Sequence, residues 1–135
     1  MQCSVIQVNR GANSEICEDQ SDEIVESWGF IYVRPAASPV VDRVEIERCG
    51  VRTTLVGVPE QSASVQAAID LVDGGVDVIE LCGMLGPVWA ARVIEATGGR
   101  VPVGAVSYGA ESVSLFLRWK SRNRHAGNGR ARKRR

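Results

Sequence analysis

An α/β fold, a single three-layer domain around a four-stranded, mainly parallel sheet, is what this sequence predicts, and three observations carry the prediction. From Trp28 onward, short β-branched runs alternate with stretches of helical period, the pattern of βα units around a parallel sheet. Each run is bounded by Gly or Pro, and the last two are almost wholly apolar, as strands covered on both faces are. Right-handed crossovers then favour the flavodoxin-like order 2-1-3-4, with the four strands numbered along the sequence.

The elements follow in order. Residues 1–27 set Glu15, Glu18, Asp19, Asp22, Glu23 and Glu26 against the single Arg10. So few apolar groups do not offset the entropy of ordering, and a poorly ordered acidic extension is expected, although Met1 to Val8 has the composition of a short strand. The domain proper is placed at residues 28–120. Its first strand is Gly29 to Val33. Ser38-Pro39 opens either a helix through Val41 and Val44 to Cys49, closed by Gly50, or an irregular turn favoured by the β-branched content. The second strand is Val51 to Val58. Ser62 suits a helix cap, Val65, Ala68, Ile69 and Val72 recur at helical spacing, and Gly74-Gly75 ends that helix. The third strand, Val76 to Cys82, leads to a helix that starts at Pro87, carries Ala90, Val93, Ile94 and Thr97 on one face, and stops at Gly98-Gly99. Val101 to Tyr108 is the fourth strand, and Val113, Phe116 and Leu117 predict a closing helix over 110–120. Residues 121–135, built of Gly, Asn and Arg without apolar period, are expected to be a disordered basic tail.

Composition narrows the classes of function. The 135-residue chain is long enough to bury a core without metal or disulfide support. Its zero net charge hides an asymmetry: residues 118–135 carry nine basic groups and no acid, while residues 1–117 hold seven basic and all sixteen acidic groups. Cys3, Cys17, Cys49 and Cys82 lie 14, 32 and 33 residues apart, too far for a zinc knuckle or redox dithiol, and are read as reduced thiols; no metal and no cofactor is expected. No apolar run approaches the ~20 residues of a membrane span, and no basic segment with an apolar core opens the chain. A cytoplasmic protein without membrane contact is the expectation.

The stretch Glu80-Leu-Cys-Gly-Met-Leu-Gly-Pro87, with Ala90-Ala91-Arg92-Val93 and Val101-Pro-Val-Gly-Ala-Val-Ser-Tyr108-Gly109 after it, resembles a bacterial family of small α/β proteins of unknown function, over residues of about 28 to 115. The resemblance implies an α/β fold and names no activity. A shorter phrase, Gly74 to Glu80, is similar to the strand entry of one βα unit in aldolase and epimerase barrels, which need eight such units where this chain has about four.

Chemistry concentrates at the same junction, the strand end where α/β proteins commonly bind ligands. Glu80 interrupts an apolar strand, and alternation puts it on one side with Cys82. Partly desolvated there, it suits a general acid or base; alternatively it accepts backbone N–H bonds or pairs with Arg52 or Arg92. Cys82, just ahead of a helix start, is a nucleophile candidate, but the single histidine, His125, lies in the tail, and a small buried Cys is the competing reading. Gly83, Gly86 and Pro87 form either an anion cradle at a helix N-terminus or a tight strand-to-helix turn; the spacing matches neither a dinucleotide fingerprint nor a Walker loop. Tyr108 and Glu111 end the fourth strand and reach the same edge if the sheet is parallel, unless Glu111 is only an early helix residue favoured by the dipole.

The expected function is therefore binding of a small anionic molecule at the carboxyl edge, with isomerase or lyase chemistry using Glu80, Cys82 and Glu111 if the protein is an enzyme. The alternatives are a non-catalytic homo-oligomeric scaffold, with Trp89 off its helix stripe and at the interface, and weak nucleic-acid association by the tail.

Overall fold

The computed structural model describes residues 24–131, with side chains through residue 122. The chain forms β1 (Glu26–Val33), β2 (Arg43–Arg48), β3 (Val51–Val58), α1 (Ala63–Asp73), β4 (Val78–Leu81), α2 (Gly86–Ala96), β5 (Val103–Ala105), a 3-10 turn at Ala110–Ser112, and α3 (Val113–Ala131). The five strands make one mixed sheet in the order β2-β3-β1-β4-β5. β3, β1, β4 and β5 are parallel, and β2 adds antiparallel to the outer edge of β3.

The α/β class holds, while the sheet is mixed and five-stranded where a four-stranded, mainly parallel one was expected. The extra strand occupies the segment read as a helix or irregular turn. Arg43-Val-Glu-Ile-Glu-Arg48 alternates charged and apolar residues with the period of a strand. Cys49 and Gly50, at φ 51° and 75°, supply the two consecutive positive values of a type I′ hairpin turn and join it to β3. Cys49 is also disulfide-bonded, against the expectation of four reduced thiols, whereas Cys82 is free. Between β1 and β2 the chain crosses the carboxyl end of β3, held by Arg34 N–H donating to the Val58 carbonyl at 2.9 Å and Gly57 N–H to the Asp42 carbonyl at 2.7 Å.

That substitution of a strand for a helix decides the layering. The crossovers β3-α1-β4 and β4-α2-β5 both step the same way across the sheet, so right-handedness puts α1 and α2 on one face. The β1-to-β3 step runs the other way, and a helix there would have covered the opposite face. The three-layer expectation is thereby corrected: among the described residues, one face carries α1 and α2, and no helix packs on the other.

The core lies wholly on the helix side. Ile31, Val56, Val58, Ile79 and Leu81 of the sheet meet Ala67, Ala68 and Leu71 of α1, Val93 of α2, and Leu85. Gly29 lets α1 approach β1, since a Cβ there would lie 3.0 Å from Leu71 Cδ1. Ser62 does not cap α1: its backbone is already helical, and its hydroxyl donates to Glu60 Oε1 at 2.6 Å. The helix end is as expected, with Gly75 at φ 85° and the amides of Gly75 and Val76 donating to the Val72 and Leu71 carbonyls. β4 and β5 are shorter than the expected 76–82 and 101–108, and α3 runs past Lys120 to Ala131. Most of the expected acidic extension, residues 1–23, and the last four residues of the basic tail lie outside the described residues.

Candidate functional site

The carboxyl edge between β4 and β5 is built by a short loop. Cys82 N–H donates to the Ile31 carbonyl at 2.9 Å and Leu85 N–H to the Cys82 carbonyl at 3.0 Å, so the chain leaves β4 and turns at once into α2. Gly86 opens α2 at φ 66°, a value that a side chain disfavours, and Pro87 follows in the first turn. Gln61 Nε2 ties the loop to the β3-α1 connection by donating to the Met84 carbonyl at 2.7 Å. Gly83 sits under Tyr108: a Cβ would lie 3.0 Å from the ring and 3.1 Å from the Val106 carbonyl. Tyr108 in turn stacks on Phe116 with centroids 4.6 Å apart, and Phe116 lies 5.6 Å from Trp119. A shallow cleft of about 380 Å³ beside these rings is lined by Tyr108, Ser112, Leu115, Phe116 and Trp119.

The expected residues are only partly gathered here. Gly83 and Tyr108 are in contact, and Gly86 and Pro87 begin the adjacent helix. Glu80 and Cys82 part company: Glu80 is exposed on the face without helices, while Cys82, beyond the strand, is half-buried against the core. The strand's alternation breaks where the loop begins, which is why parity along the sequence misplaced the thiol. Glu111 folds back over Gly109, where an added Cβ would collide with its carboxylate. Glu80 forms no ion pair with either arginine considered for it: Arg52 pairs with Glu47 at 2.6 Å, and Arg92 lies over the Trp89 ring at 4.4 Å. Trp89 itself is half-buried against the core.

What the arrangement offers chemically is an uncapped helix start. No side chain caps α2, no acid lies in its first turn, and its first N–H groups lack acceptors within the helix. Arg92, held over Trp89 one turn on, adds a cation near that end. Among the described residues no group of three or more His, Cys, Asp or Glu is placed to hold a metal, and no helix is long and apolar enough to cross a membrane.

Sequence reasoning missed one constellation. Trp28, Phe30 and Tyr32 alternate along β1, and the strand register aligns Trp28 with Thr53, Ile46 and Val78, and Phe30 with Leu55, Val44 and Glu80. All of these point away from the helices. The i, i+2, i+4 aromatic spacing and the alternation in β2 were the available signals.

No curated protein and no solved structure gives a match to this chain. One family model does match, over residues 26–121, which take in the whole sheet, α1, α2 and the segment that carries Tyr108, Phe116 and Trp119. The chain belongs to the family of unknown function DUF6506.

Proposed function

We propose that this protein binds a small anion, a phosphate or carboxylate group, at the start of α2. The observation that carries the reading is the bare first turn of that helix, free of caps and acids, with the Arg92 guanidinium 4.4 Å over Trp89 beside it. Helix N-termini of this kind favour negative charge through oriented N–H groups and the helix dipole. Binding is preferred to catalysis because Glu80 lies on the helix-free face while Cys82 packs against the core.

The test is a thermal-shift titration of the full chain with inorganic phosphate and with small phosphate esters, against chloride at matched ionic strength. Saturable stabilisation by phosphate that is lost in Arg92→Gln is the expected result. Equal stabilisation by chloride, or an unchanged response in the variant, refutes the reading. A second reading, self-association, is favoured by a different observation, the sheet face without helices.

A further inference from the structure

The helix-free face of the sheet has the composition of an interior. Trp28, Phe30, Tyr32, Val44, Leu55 and Val78 are half-buried there by their neighbours in the sheet, Ile46 is 41% exposed, and none belongs to the core cluster or packs against it. The charged side chains of β2, Arg43, Glu45 and Glu47, point to the helix side instead, where they pair with one another or with Arg52. A strand that turns Val44 and Ile46 away from the core and its charges toward the helix layer is patterned for something lying on this face.

The sheet edges are guarded against strand addition. β5 has three residues and is preceded by Pro102, and β2 is studded with charge. Association through the face rather than the edge is what remains. Five strands at about 4.8 Å spacing and strand lengths of about 20 Å make a plane of roughly 500 Å² per copy, or about 1,000 Å² for two, which reaches the threshold for a specific interface.

Three charges of the strands lie on this face: Glu26, at the start of β1, whose carboxylate accepts the Trp28 indole N–H, and Glu80 and Arg48, which have no ion-pair partner among the described residues. Glu80 lies on β4 level with Phe30, and Arg48 lies on β2 level with Val51. They are three strands apart across the sheet, about 14 Å, and four residues apart along it, about 13 Å, so the line joining them runs diagonally. A two-fold axis in the interface along the opposite diagonal passes between Thr53 and Trp28, near the middle of the apolar patch. It sets Glu80 over the partner's Arg48 twice and lays Phe30 over the partner's Ile46. Strands of the two copies then cross at nearly a right angle, one of the two standard ways in which sheets pack face to face.

We propose that the helix-free face is a homodimer interface in which two sheets pack orthogonally and Glu80 pairs with the partner's Arg48. The pairing neutralises a carboxylate that the apolar contact would otherwise bury alone, and it selects one register among the many that a plain apolar face permits.

Sedimentation equilibrium of the full chain across micromolar concentrations tests this, with circular dichroism confirming that each variant folds. The wild type is expected to dimerise. Glu80→Arg and Arg48→Glu each place like charges face to face and are expected to weaken the dimer by about thirtyfold or more. The double exchange is expected to restore it. Ile46→Asp, at an exposed position, is expected to give a folded monomer, and it decides the face should the charge variants not fold. A wild type that is monomeric throughout overturns the proposal and leaves the face to another occupant. Singles that dimerise like the wild type, or a double exchange that restores nothing, overturn the pairing; a dimer unaffected by Ile46→Asp overturns the face.

Discussion

The two faces of this sheet are made from the same five strands and have opposite histories. On the helix side, Ile31, Ile79 and Leu81 are fully buried in one core cluster with residues of α1 and α2. On the other side, an apolar row of Trp28, Phe30, Leu55 and Val44 meets no helix among the described residues. Alternation along a strand supplies two faces in equal measure, and connection handedness decides which one receives helices. Here one connection became a strand, and among the described residues one face was left without helices.

Mutations on the two faces should separate them, and the largest effect belongs to the helix side. Ile79→Ala removes a buried side chain from the centre of the core and should cost about 2–5 kcal/mol in urea denaturation, independently of protein concentration. An effect below about 1 kcal/mol, the level of a surface change, would break the distinction between the faces. Phe30→Ala, half-buried on the open face, should cost about 1–2 kcal/mol in dilute protein and, if the proposed dimer forms, progressively more as the concentration rises. A concentration-independent loss would show that the face is filled within one chain.

The hairpin that removed the second helix layer is the next point of attack. Gly50→Ala places a side chain at φ 75° and should cost about 1–2 kcal/mol in the same measurement. A neutral result would mean that another turn type satisfies the β2-β3 register. The smallest effect should come from Arg100→Ala, which breaks an ion pair to Asp73 at 2.9 Å between half-exposed side chains. Less than about 1 kcal/mol is expected there, and salt should diminish it.

The legible part of this fold was whatever local chemistry controls. Gly74-Gly75 and Gly98-Gly99 closed their helices where the spacing placed them, and Val93 and Thr97 lie buried on the predicted stripe of α2. Val51 to Val58 is a strand over the expected residues. The segment from Arg43 to Arg48 was misread because Ser38-Pro39 and a terminal Gly50 imitate helix punctuation, while the period-2 alternation between them carried the better signal. At the candidate site, Gly83 meets Tyr108, and Gly86 and Pro87 begin the next helix. Cys82 parts from Glu80, because residue parity predicts direction only while the backbone stays extended, and it leaves that conformation after Leu81.

The amino-acid sequence by itself determined the α/β class, the helix ends and the strand-turn-helix junction at residues 80–87, since propensity, capping and glycine conformations act within a few residues. Tertiary structure alone decided that both helices share one face, that Glu80 points away from them, and that Arg48 lies diagonally across the same face. Those outcomes depend on the handedness of connections and on strand order, which relate residues tens of positions apart and leave no local mark in the chain.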